Sequence, residues 1–205
     1  SITTLLFFPA LQTYSFTTQS SDYNSYYVSS SQGDDSNSGT SPDEPWQSIS
    51  KLNTELANDN IDLGDDIYFK RGDIFYGELD LRNGGTPDNY MIIGAYGIGD
   101  KPVIDNSIGM EDKCCIKIWY DKSGYYQIEN LKVCNTTVTG DGIHVAPTAN
   151  QNNHSDIIIR NIEAENINGR EGIFINNVIN YTVENIKTKG CTITLYGDKY
   201  ERLSN

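Results

Sequence analysis

Apolar residues recur along the second half of the chain with a long period. Three segments share one pattern, apolar–charged–Asn–apolar–charged: Ile128-Glu-Asn-Leu-Lys132, Ile159-Arg-Asn-Ile-Glu163 and Val183-Glu-Asn-Ile-Lys187. Between them runs a second family of short segments: Cys115-Ile-Lys-Ile118, Gly142-Ile-His-Val145, Gly172-Ile-Phe-Ile175 and Thr192-Ile-Thr-Leu195. In this second family two apolar residues flank one variable position, the period of two that marks a strand with one buried face. Two alternating strand families at a spacing of one solenoid turn predict an all-β, right-handed parallel β-helix.

The charged positions support the same register. Stacking the first family puts Glu129, Arg160 and Glu184 in one column and Lys132, Glu163 and Lys187 in another. The sign alternates in both, as neighbours about 4.8 Å apart require. Asn130, Asn161 and Asn185 form a third column, able to bond side chain to side chain along a bend. Upstream, Asp66–Lys70, Glu78–Leu81, Tyr90–Ile93 and Pro102–Asp105 read as further strands, separated by turn residues such as Arg82-Asn-Gly-Gly85. A single helix is expected at 48–57, with Ile49, Leu52 and Leu56 on one face. It is the natural cover for the open N-terminal end of the solenoid. The division is therefore 1–25 as an N-terminal segment, either a signal remnant or a cap, and 26–205 as the β-helix.

Composition narrows the partners. Of the 205 residues, 37% are hydrophobic and 21% charged, enough for one buried core. A net charge of −13 disfavours nucleic acid and anionic membrane surfaces. No stretch approaches the roughly 20 apolar residues of a membrane span. Asn135, Asn153 and Asn180 each begin an Asn-x-Ser/Thr triplet and are candidate glycosylation sites in a secreted or cell-surface protein. The four cysteines lack metal-ligand spacing. Cys114 and Cys191 lie about 14 Å apart, three turns at strand spacing, too far for a bridge. Cys134 with Cys114 or Cys115 is the expected disulfide.

Tyr26-Tyr-Val28, Gly33-Asp-Asp-Ser-Asn-Ser-Gly-Thr40, Pro45-Trp-Gln-Ser48 and Leu63-Gly-Asp-Asp-Ile-Tyr-Phe-Lys-Arg-Gly-Asp73 carry a resemblance. They resemble the start of extracellular parallel β-helix proteins of the pectate-lyase-like superfamily, which includes polysaccharide lyases, hydrolases and epimerases. The resemblance implies the fold and the N-terminal cap, and a polysaccharide as partner. It says little of the reaction, since one solenoid hosts many activities. The Asn-Thr-Asp, Asp-Asp, His-Gly and Arg-Ile-Lys blocks of polygalacturonase-like enzymes are absent, as is the Arg-x-Pro-x-x-Arg block of pectate-lyase-like ones.

Candidate chemistry follows from stacking the second strand family. Asp141 and Glu171 fall on adjacent turns, at the separation of a retaining glycosidase pair or of a shared Ca²⁺ site. Lys117, His144 and Phe174 form an outward column flanked by Trp119, Asn176 and Tyr196. Lys117 or His144 would serve as the base of a β-elimination, and the rings and Asn176 would hold a sugar. Both acids also sit in ordinary turns, where such residues serve solubility or local bonding, and Arg170 would neutralise Asp141.

Two function classes remain. One is a secreted protein that binds or acts on polysaccharide, polysaccharide lyase-like or glycoside hydrolase-like if an enzyme. The other is a non-catalytic subunit of a wall, sheath or filament. The end after Thr192–Leu195 is polar and short, so another β-helix subunit, or the rest of a longer polypeptide, is expected to cover it.

Overall fold

The computed structural model describes residues 23–108, 114–119, 124–136, 139–146, 154–168, 170–196 and 201–204. The N-terminal segment before Tyr23 and the triplet at Asn153 therefore lie outside the described residues. Three parallel sheets wind into a β-helix. The first holds seven strands: β1 (Ser25–Val28), β2 (Asp66–Lys70), β5 (Met91–Tyr96), β8 (Tyr126–Glu129), β11 (His154–Arg160), β14 (Val178–Glu184) and β17 (Glu201–Ser204). The second holds β3 (Ile74–Tyr76), β6 (Val103–Asp105), β9 (Lys132–Cys134), β12 (Glu163–Glu165) and β15 (Lys187–Lys189). The third holds β4 (Leu79–Leu81), β7 (Ile116–Ile118), β10 (Ile143–Val145), β13 (Glu171–Ile175) and β16 (Thr192–Leu195). Each turn gives one strand to each sheet in the same order, so chemically similar residues recur in columns.

The apolar columns are where the alternation places them. Ile128, Ile159 and Val183 are in register and almost fully buried. Ile116, Ile143 and Ile173 form a second inward column, and Ile118, Val145 and Ile175 a third. Arg160 is aligned with both Glu129 and Glu184, and its Nε donates to Glu129 Oε2 at 2.5 Å. In the other charge column Glu163 accepts from Lys101 and faces Lys187, whereas Lys132 reaches diagonally to Glu165 at 2.7 Å.

The bend expected at the asparagines is a corner between two strands, β8 ending at Glu129 and β9 beginning at Lys132. Asn130, Asn161 and Asn185 all have positive φ (60°, 54° and 51°), a left-handed conformation that Asn tolerates better than most residues. Their amides form a ladder: Asn161 donates to Asn130 at 2.5 Å and Asn185 donates to Asn161 at 3.1 Å. The chain therefore leaves the first sheet at these residues and enters the second.

Helix α1 (Ile49–Ala57) begins at an N-cap Ser48 whose Oγ accepts the Lys51 amide. Asp35 locks that start by accepting from the Gln47 and Ser48 amides and the Ser48 hydroxyl. Ile49, Leu52 and Leu56 are buried against the solenoid. Asn53 completes the cap: its Nδ2 donates to the Glu78 carbonyl and its Oδ1 accepts the Asp80 amide, satisfying the first strand edge of the third sheet.

Two expectations are corrected. The four cysteines are free thiols, so no bridge joins Cys134 to Cys114 or Cys115. Cys115 is buried and its thiol donates instead to the Cys134 carbonyl at 3.2 Å. The chain also does not end its pairing at Thr192–Leu195, because β17 adds a further parallel rung on β14 with Val183 opposite Leu203.

Candidate functional site

The outer face of the third sheet brings the sequence candidates together. Within β4, β7, β10 and β13 the apolar residues point in, so the intervening residue points out. Asp80, Lys117, His144, Phe174 and Thr194 are consecutive neighbours in that register. Close approach of the turns before the strands is set by glycine. A Cβ on Gly142 would lie 2.4 Å from the Gly172 carbonyl oxygen, so only hydrogen fits there.

Along this face the aromatic residues form a continuous run. The Trp119 and His144 rings stack at 5.4 Å, His144 and Phe174 at 4.9 Å, and Phe174 meets Tyr196 edge-on at 6.2 Å. Trp119 is 43% exposed and Tyr196 60%, so the two ends of the run face solvent while His144 is buried. Asn176 follows β13, half-buried, with its amide bonded to the Val145 carbonyl.

Lys117 turns away from the rings. Its Nζ lies 3.1 Å from Glu78 and 3.5 Å from Asp80, and Arg82 reaches Asp80 at 3.1 Å. Glu78, Asp80 and Arg82 were not among the sequence candidates. Their signal was the alternation in Glu78-Leu-Asp-Leu-Arg82, which leaves all three outward once Leu79 is aligned with Ile116.

Asp141 and Glu171 are on neighbouring turns, but their carboxylates serve different partners. Asp141 is fully buried; its Oδ1 accepts the Glu171 amide at 3.1 Å and its Oδ2 lies 2.5 Å from His144 Nδ1. Glu171 accepts from the Thr194 hydroxyl at 3.3 Å. Cys114, two residues before Ile116 as Asp141 is before Ile143, joins this group, and burial pushes its thiol up to about 12. One donor atom each from Cys114, Asp141 and His144 lies within 4.8 Å of the others. Asp141 and Glu171, expected as a Ca²⁺ pair, thus have different partners, and a thiol and an imidazole lie beside Asp141.

The other candidates are structural neighbours rather than part of this face. Asn135 donates to Asp105 at 2.8 Å and Asn180 to Asp156 at 3.5 Å through the Nδ2 that a glycan would occupy. A separate open cleft of 430 Å³ lies between α1 and Tyr76–Glu78, lined by Ile49, Asn53, Tyr76 and Glu78 among others.

Comparison with known proteins adds the following. No protein-family model matches the sequence. Over 91 residues, 42% of the chain, it is 41% identical to a lacto-N-biosidase of Bifidobacterium longum subsp. longum, a match spanning 6% of that protein. Among solved structures, the GH136 lacto-N-biosidase from Eubacterium ramulus superposes with a TM-score of 0.61 over 84% of this chain and 36% of that one, at 24% identity. A rhamnogalacturonan lyase superposes with a TM-score of 0.53 over 84% of this chain and 56% of that one, at 15% identity. The chain therefore spans about a third of the solved biosidase and a small fraction of the curated one. The structural likenesses bear on the fold, a parallel β-helix in each case.

Proposed function

We propose that this protein is carbohydrate-active and that the outer face of β4–β7–β10–β13–β16 holds a glycan. The observation that carries the reading is the run of rings from Trp119 through His144 and Phe174 to Tyr196. Sugar rings present flat patches of C–H that pack on aromatic faces, while their hydroxyls need polar neighbours at the rim. Glu171, Thr194 and Asn176 supply such groups on one side of the run, and Glu78 and Asp80 on the other.

Hydrolysis of a glycosidic bond is the reaction we favour over β-elimination. The curated relative is a hydrolase by name, and Lys117, the candidate base for elimination, is engaged by two carboxylates. Glycosidic cleavage needs a carboxylic acid able to deliver a proton to the leaving oxygen. Glu171, half-buried on the outer face and bonded to Thr194, fits that role.

Calorimetric titration with a panel of oligosaccharides tests the reading. Trp119→Ala and Tyr196→Ala, both at exposed rings, are expected to weaken binding by about tenfold each, or about 1.4 kcal/mol. Absence of binding across the panel, or unchanged affinity in both variants, would overturn it.

A further inference from the structure

Cys114 and Asp141 have no role in the glycan reading, and His144 enters it only as one ring of the aromatic run. Its donors come from two adjacent turns. Cys114 and Asp141 occupy equivalent places before β7 and β10, tied by the Cys115 amide donating to the Asp141 carbonyl at 3.1 Å. His144 is the outward residue of β10, three positions after Asp141. Cys114, Asp141 and His144 are 6%, 0% and 7% exposed. A thiol, a carboxylate and an imidazole enclosed together between two turns need partners that offset the cost of their burial.

We propose that Cys114, Asp141 and His144 form a binding site for one divalent cation of the zinc class. The donor chemistry selects it: thiolate and imidazole suit Zn²⁺ and its neighbours, whereas Ca²⁺ requires six or more oxygens. The charges also close. One thiolate and one carboxylate balance a divalent ion, leaving a neutral cluster, the condition under which charges tolerate burial. Three protein donors leave a fourth position of the tetrahedron for water or another ligand.

The remaining contacts already hold the donors. The Glu171 amide fixes Asp141 Oδ1 from the next turn, and the Cys114 amide donates to Glu78 at 2.8 Å. Trp119 and Phe174 fix the plane of the His144 ring. Such outer contacts are what orient ligands at metal sites. Uptake exchanges the proton between His144 and Asp141 for the ion. The distance between those two ligand atoms widens from 2.5 Å toward the roughly 3.4 Å of two donors on one tetrahedral zinc. The Cys114 thiol loses its proton to solvent as the S–metal bond forms, and the imidazole proton moves to its other nitrogen. No redox change is involved.

Cobalt is the probe. Untagged protein, stripped with a chelator under reducing conditions, is titrated with Co²⁺ and followed by absorption. The expected result is a thiolate-to-cobalt charge-transfer band that saturates at one equivalent, with visible bands of tetrahedral intensity, and is displaced by Zn²⁺. Cys114→Ser should abolish the charge-transfer band and His144→Gln should lower affinity at least tenfold, while Cys134→Ser and Cys191→Ser leave both unchanged. Circular dichroism on each variant confirms that the solenoid is intact. The proposal is overturned by absence of the band, by its persistence in Cys114→Ser, or by its loss in Cys191→Ser, which would mark adventitious binding at the half-buried thiol. None of these readouts involves a glycan, so the fate of this site and that of the sugar-binding face are decided separately.

Discussion

Replacing Asp141 by alanine removes the partner of two groups, the amide of half-buried Glu171 and the ring of buried His144. The Glu171 amide, 3.1 Å from Oδ1, and the His144 imidazole, 2.5 Å from Oδ2, are both left unpaired behind a residue with 0% exposure. An orphaned buried polar group costs about 1–3 kcal/mol, so Asp141→Ala is expected to cost about 2–6 kcal/mol. A second substitution separates the two contributions. Phenylalanine at His144 keeps a ring between Trp119 and Phe174 but asks nothing of position 141. In the Asp141→Ala background, His144→Phe should therefore recover about 1–3 kcal/mol, the share of the imidazole alone. On its own, His144→Phe destabilises, because it strands a buried carboxylate oxygen. Guanidinium unfolding followed by far-ultraviolet circular dichroism, with a chelator present, measures all four corners of this cycle. Strictly additive effects, with no recovery in the double variant, would refute the claim that Asp141 and His144 act as a buried pair.

Other consequences can be checked on the same footing. Ile159→Ala, at a fully buried position between Ile128 and Val183, should cost about 2–5 kcal/mol in the same unfolding assay. Asn161 at φ 54° predicts an order. Asn161→Ala should be more destabilising than Asn161→Gly, because both lose the ladder but only alanine carries the left-handed penalty of about 1–2 kcal/mol. The reverse order would show that the corner does not depend on backbone conformation. The Glu165 carboxyl is held down at about 2 from 4.5 by bonds to Lys132 and Lys189. Since the folded value is the lower one, its contribution is present above pH 4.5 and lost as the pH falls toward 2. Acid titration of stability should be shallower in Glu165→Gln than in the parent, and identical curves would contradict the network.

The inward columns were legible because a strand with one buried face repeats every second residue, and Ile128, Ile159 and Val183 restate that pattern on successive turns. In the second sheet β6 was legible in Pro102–Asp105, but β12 (Glu-Ala-Glu) and β15 (Lys-Thr-Lys) were not, because each presents a single small residue between two charges and carries no apolar alternation. Their existence follows from the left-handed asparagines, whose conformation is a property of the folded corner and not of local pattern. For the candidate site, the column Lys117–His144–Phe174 came from aligning one strand family with itself. The partners that redirect Lys117, Glu78 and Asp80, lie before and on β4, outside that family and one turn before β7. Likewise the Asp141–His144 contact requires the turn at Gly142 to fold the acid back over its own strand. Spacing along the chain does not reveal that.

The central claim is that sugars are held on the outer face of the third sheet, along Trp119, Phe174 and Tyr196. A crystal structure of the protein with an oligosaccharide identified by calorimetry tests this most directly. The account predicts sugar rings packed on Trp119 and Tyr196 with hydroxyls bonded to Glu171 or Asn176. Sugar bound instead in the cleft between α1 and Tyr76–Glu78, with the aromatic face bare, would contradict it.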